Sequence, residues 1–89
     1  MSKVKISKLT ASNIEQMGIS SWPIWEKEVS RFSWTYSENE QCYIIDGEFT
    51  IETEQETFCI TKGDFVQFEK GLTCVWDIKK PVKKYYNFS

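Results

Sequence analysis

Histidine is absent from all 89 residues. That removes the commonest general acid–base at neutral pH and the commonest metal-ligating side chain together. Cysteine is scarce and odd in number: Cys42, Cys59 and Cys74 are scattered through apparent strands. A disulfide framework needs paired cysteines in a secreted chain, so three free thiols are expected, acting as small buried hydrophobes in a reducing cytoplasm. No apolar run approaches membrane-spanning length, and the opening MSKVKISKLT has no secretory hydrophobic region. A cytoplasmic protein without a membrane partner is therefore expected. A formal net charge of -2 gives no general pull toward nucleic acid or anionic lipid. Linkers, internal repeats and low-complexity segments are also missing, so residues 1–89 read as one domain.

What the chain has in abundance is aromatic rings, 16% of residues, with tryptophans at 22, 25, 34 and 76. A chain this short buries only ~60–65% of its unfolded surface. Rings that each bury ~150–250 Å² make a small aromatic-filled barrel or sandwich feasible. Borrowing burial from a second copy is the other solution, so a homodimer is possible, with outward residues such as Tyr43 and Ile45 as a self-association face.

Residues 4–8 alternate weakly and fit a first strand at a sheet edge. Residues 10–18 predict the one helix, with Ser12 and Glu15 as a capping box and Gly18 as the stop. Trp22-Pro23-Ile24-Trp25 belongs at an edge or just before a strand, because Pro23 lacks a backbone donor. The two tryptophans could be a ligand platform, but a plug packed over one face is the plainer expectation. Glu26, Lys27, Glu28 and Arg31 surround Val29 as a solvated strand or turn.

The segment FSWTYSENEQCYIIDG, residues 32–47, predicts strand, turn, strand, with Ser37, Glu38 and Asn39 in the turn. Trp34 and Tyr36 share one face before the turn, and Glu40, Cys42 and Ile44 share one after it. Asp46-Gly47 invites a primed hairpin turn that would close the second strand. Alternating runs then cover residues 48–54 and 56–61, with Phe49, Ile51, Phe58 and Ile60 as their apolar members. Turns at Gly63-Asp64 and Glu69-Lys70-Gly71 delimit further strands, and Pro81 is expected to break the chain before a last strand over 82–88. Short strands with closely spaced turns and a single helical signal predict an all-β domain.

Two spacings carry a resemblance. Trp34-x-Tyr36-x3-Glu40-x6-Gly47 resembles the first cupin motif, His-x-His-x3-4-Glu-x6-Gly. Gly63-x5-Glu69-x-Gly71-x2-Cys74-x3-Ile78 keeps the spacing of the second, Gly-x5-Pro-x-Gly-x2-His-x3-Asn. The longer stretches WPIWEKEVSRFSWTYSENEQCYIIDGEFTI and KGDFVQFEKGLTCVWDIKKPVKKYYNF are similar to small single-domain cupins of the ureidoglycine-aminohydrolase or cupin_3 type, and to the cupin part of ethanolamine-utilisation proteins. The resemblance implies a jelly-roll barrel, a double-stranded β-helix. It supplies no activity, because fold analogy alone does not specify function.

By the same resemblance, Trp34, Tyr36 and Cys74 stand at the three histidine positions, and Glu40 alone remains of the metal-ligand set. Indole has no lone pair for a metal, and phenol binds well only as phenolate, unfavourable from a pKa near ~10. One thiolate and one carboxylate fall short of the usual three or four ligands. The expectation is a metal-independent domain without a cofactor that binds an unknown small molecule or serves as an accessory protein. Its pocket would be lined by Trp34, Tyr36, Glu40, Cys42, Cys74 and Trp76. Two alternatives remain open. One is an enzyme on a small nitrogenous or carbonyl metabolite, with Glu40 as acid–base and Cys74 as nucleophile or ligand. The other is a structural, self-associating module. In the plainest case Glu40 accepts a hydrogen bond from Tyr36 or an indole within a satisfied polar cluster. Lys79, Lys80, Lys83 and Lys84 next to Tyr85-Tyr86 could bind single-stranded nucleic acid, but a solvated edge guarded by lysines is expected instead.

Overall fold

Alternation along two unusually long strands determines the architecture. A computed structural model describes residues 3–88; residues 1, 2 and 89 of the domain expected over 1–89 lie outside the described residues. Strand β1 (Val4–Lys8) leads into helix α1 (Ala11–Met17) and a single 3-10 turn at Ile19–Ser21. Six strands follow: β2 (Ile24–Lys27), β3 (Ser30–Thr35), β4 (Glu40–Glu52), β5 (Thr57–Thr61), β6 (Asp64–Phe68) and β7 (Thr73–Phe88). All pairings are antiparallel.

The helix is capped two residues earlier than the sequence predicts. Thr10 has extended backbone; its hydroxyl oxygen accepts from the Asn13 amide at 3.0 Å, and its own amide donates to Asn13 Oδ1 at 3.2 Å. Ser12 already lies inside the first turn, so the box is Thr10 with Asn13 rather than Ser12 with Glu15. Gly18 ends the helix in the left-handed conformation as expected.

β4 and β7 each belong to two sheets. The first half of β4 pairs β6 and the last residues of β7; its second half pairs β5 and the first half of β7. β7 pairs β3 along residues 73–78 and β2 along residues 82–85. The layers are therefore β1-β6-β4-β7-β2 and β5-β4-β7-β3, two sheets of a jelly roll that share their central pair. Between them lies a core that includes Ile44, Phe49, Ile51, Val66, Phe68, Trp76 and Ile78.

Two sequence expectations fail at the bend. Asp46-Gly47 makes no hairpin, and Pro81 ends no strand: β4 and β7 run straight through. Nor do β3 and β4 form a hairpin across Ser37–Asn39, since each pairs β7 instead. The physical reason is a slip in the β4–β7 register between Ile44 and Phe49. It changes the phase of β4, so that Glu40, Cys42 and Ile44 face inward before it and Phe49 and Ile51 after it. Pro81 falls opposite the slip, where a missing donor costs no ladder bond. Gly47 sits there at φ 108°, with its missing Cβ aimed into the Pro81–Val82 backbone, 2.7 Å from Val82 Cα.

Gly47→Ala is accordingly expected to cost at least about 2 kcal/mol in urea unfolding, combining positive-φ strain with backbone collision. Gly63→Ala is the control: φ is 89° but nothing lies within 4 Å of the added Cβ. It is expected to cost about 1 kcal/mol, the conformational part alone. Equal losses for the two variants would show that the close crossing at Gly47 carries no weight.

Candidate functional site

The bend brings together residues that an extended chain would separate. Trp76 and Lys84 are eight residues apart on β7, roughly 26 Å along a straight strand at about 3.3 Å per residue. Lys84 Nζ nevertheless lies 4.7 Å from the Trp76 ring centroid. It lies 4.8 Å from the ring of Trp25 on β2, and Trp25 and Trp76 meet edge to face at 5.6 Å. Lys84 is 5% exposed. The basic segment expected to form a solvated edge therefore divides: Lys79, Lys80 and Lys83 are exposed, and Lys84 points into the barrel.

Its ammonium donates to Glu40 Oε2 at 2.8 Å and to Cys42 Sγ at 3.3 Å, and the Cys42 thiol donates to the same Glu40 oxygen at 2.8 Å. All three side chains are buried. Glu40 and Cys42 reach this point because they share the inward face of the first half of β4. Burial opposes the charge on Lys84, but the Glu40 carboxylate and the hydrogen bonds to Glu40 and Cys42 outweigh it and hold the ammonium above the ordinary lysine range. The two tryptophan faces further favour the charged form. Burial pushes the Cys42 thiol well up, against the pull of Lys84 and reinforced by Glu40.

Tyr36 completes the polar interior differently from the simplest expectation. Its hydroxyl accepts from Trp76 Nε1 at 3.2 Å, whereas Glu40 is held by Lys84 and Cys42. The Tyr36 ring stacks on Phe68 at 4.6 Å, and burial, with Glu40, Cys42 and Cys74 nearby, raises its phenol far above the usual range. Trp76 also stacks on Phe49 at 4.4 Å and lies parallel to Phe32 at 5.9 Å.

Beside this cluster opens a cavity of about 550 Å³ lined by Trp25, Lys27, Phe32, Ser33, Trp34, Tyr36, Glu40, Trp76, Lys84, Tyr86 and Phe88. Of the six residues expected to line a pocket, it gathers Trp34, Tyr36, Glu40 and Trp76. Trp34 stands at the mouth, 52% exposed. Cys42 lies behind the wall, in contact with Glu40 and Lys84. Cys74 is the cross-strand partner of Trp34 and is buried, yet does not line the cavity; burial raises its thiol to about 11. Such a thiol is a poor nucleophile at neutral pH. Cys59 is exposed, contrary to the expectation that all three thiols are buried; all three are free. Sequence reasoning missed Lys27, Phe32, Ser33, Lys84, Tyr86 and Phe88, and it preferred a packing plug to a ligand platform for Trp25. The signal for Lys84 was the two-residue period through Cys74, Trp76, Ile78 and Val82, on whose face it lies.

The metal centre that the cupin fold implies does not fit these residues. Tyr36 donates no free phenolate, Trp34 no lone pair, and the Glu40 oxygen Oε2 is bonded to an ammonium. Among the described residues no three His, Cys, Asp or Glu side chains are grouped to hold an ion.

Comparison with known proteins gives a consistent picture. The model of the EutQ-like cupin domain, Cupin_3, matches residues 14–86. A DUF861-family protein from Thermotoga maritima, known from its crystal structure, is 47% identical, with a TM-score of 0.94 over 97% of this chain and 99% of that one. A protein assigned as ethanolamine utilization protein Q of Salmonella typhimurium is 25% identical, with a TM-score of 0.67 over 96% of this chain and 68% of its own. The EutQ protein of Clostridium difficile shares the fold at 20% identity and a TM-score of 0.68. No curated protein matches.

The interior makes alkaline stability informative. Cys74, Cys42, Tyr36 and Lys84 all keep their protons to higher pH in the folded protein than their ordinary values of 9.0, 9.0, 10.0 and 10.5. Above about pH 9 the unfolded chain therefore binds fewer protons than the folded one, and stability falls as pH rises. The urea midpoint is expected to decline between pH 8.5 and 11, less steeply in Cys74→Ala. A midpoint constant across that window would contradict the buried, protonated interior.

Proposed function

The chain belongs to the EutQ-like cupin domain family, and we propose that it is a metal-independent cupin whose aromatic-walled cavity binds a small molecule. The cavity carries this proposal. Its volume lies within the roughly 300–1,000 Å³ usual for ligand sites, and it combines apolar walls with a few convergent polar groups. Seven of its lining side chains are aromatic, and its polar floor is the Glu40–Lys84 pair. A fixed ammonium at the carboxylate supplies the positive charge that a metal would otherwise bring there. The bound molecule thus meets a preorganised dipole in place of open coordination positions.

Chemistry by Cys74 gains no support from a high thiol pKa at a position outside the lining, so binding is favoured over the enzymatic alternative.

The four indole N–H signals in an NMR fragment screen provide the test. Trp25, Trp34 and Trp76 line the cavity and Trp22 does not. Bound fragments are expected to shift the first three and leave the fourth in place, and Trp34→Ala is expected to weaken binding. No fragment moving those three signals at millimolar concentration would overturn the proposal.

A further inference from the structure

The charges lining the cavity exclude one ligand class and favour another. An aromatic cage with a carboxylate at its base is the usual receptor for an external ammonium group. Here the chain fills its own cage: Lys84 Nζ lies between Trp25 and Trp76 and donates to Glu40. An incoming cation would find that cage taken and meet a second ammonium, Lys27, which lies 5.4 Å over the Phe32 ring. Lys27 is exposed and has no carboxylate partner among the described residues. Two lysines against one glutamate leave the lining with one net positive charge, 2 - 1 = +1.

The rest of the lining selects for shape. Trp34 and Phe88 are large rings left 52% and 49% exposed at the cavity, and covering their faces is a favourable way to bury apolar area. A planar body serves this best, since offset stacking needs a flat partner.

Taking the binding role proposed above as its premise, we propose that the ligand is a planar aromatic monocarboxylate whose ring lies against the cavity's aromatic walls and whose carboxylate faces Lys27 and the Lys84 ammonium. Lys84 has three donors, of which two are committed to Glu40 and Cys42; the third is unclaimed among the described residues. Lys27 supplies the uncompensated charge. Glu40 acts as a positioning residue: it fixes the Lys84 ammonium and repels any anion that would approach from its side.

Calorimetric titration of the full chain with benzoate, benzamide, benzylammonium and cyclohexanecarboxylate tests this. Benzoate is expected to bind at least about tenfold more tightly than neutral benzamide, a difference of about 1.4 kcal/mol. Benzylammonium is expected to give no measurable heat, and the non-planar carboxylate to bind more weakly than benzoate. Lys27→Gln changes only an exposed side chain, so the fold is retained. It is expected to weaken benzoate about fivefold, the upper range for an exposed ion pair, and to weaken benzamide by less. Benzamide binding as well as benzoate would overturn the anion assignment while leaving a small-molecule site in place. Cyclohexanecarboxylate matching benzoate would overturn the planar assignment. Tighter binding of benzylammonium, or binding of none of the four, would overturn the ligand class, and the fragment screen would then separately decide whether the cavity binds anything.

Discussion

The ion pair between Glu40 and Lys84 is the constraint around which the interior is arranged. Removing two charges from water costs several kcal/mol per ion, and a buried pair is tolerated only when good geometry and further bonds offset that cost. Here the offset has named parts: a 2.8 Å charge-assisted bond, a thiol that donates to the carboxylate and accepts from the ammonium, and two tryptophan faces. Together these parts tie three strands. Glu40 and Cys42 come from β4, Lys84 and Trp76 from opposite halves of β7, and Trp25 from β2.

That convergence depends on the bend in the two long strands. Without the β4 register slip, Glu40 and Phe49 would not both face the core, because they lie nine residues apart and have opposite parity. Without the tight crossing of Gly47 over Pro81 and Val82, the two halves of β7 would not bring Trp76 against Lys84. Backbone geometry at a solvent-facing bend therefore determines the electrostatics of a buried site. A lysine from the last strand ties the two halves of this interior together.

Much of this was legible in the sequence. The short alternating runs and turn residues indicate the all-β class, and the two motif spacings indicate the jelly roll, since Glu40 and the glycines hold their places while the ligands change. Trp34, Tyr36 and Glu40 could be assigned to the cavity from the resemblance of their spacing to the first cupin motif, with Trp76 as a further wall. Lys84 could not be, because it follows three other lysines and a proline that looked like a strand end. Treating Pro81 as a break discards the parity that carries the inward face from Cys74 through Val82 to Lys84. Trp25 was expected at an edge or just before a strand and lies in β2, at the end of its sheet, but nothing local shows which strand its ring will cross. Cys74 failed for a different reason: its inward parity is right, yet its place beside Trp34 puts it behind the wall, a matter of depth that spacing does not encode.

A double-mutant cycle on Glu40 and Lys84 tests the central interaction most directly. Lys84→Met leaves a buried carboxylate without its cation and is expected to cost about 3–5 kcal/mol in urea unfolding. Glu40→Gln with Lys84→Met removes both charges at nearly constant volume and is expected to recover most of that loss. Lys83→Met, on the exposed neighbour, is expected to change stability by less than about 0.5 kcal/mol. If Lys84→Met proves as harmless as Lys83→Met, and the cycle shows no coupling, then the ammonium is in water and not between the tryptophans, and the interior described above is wrong.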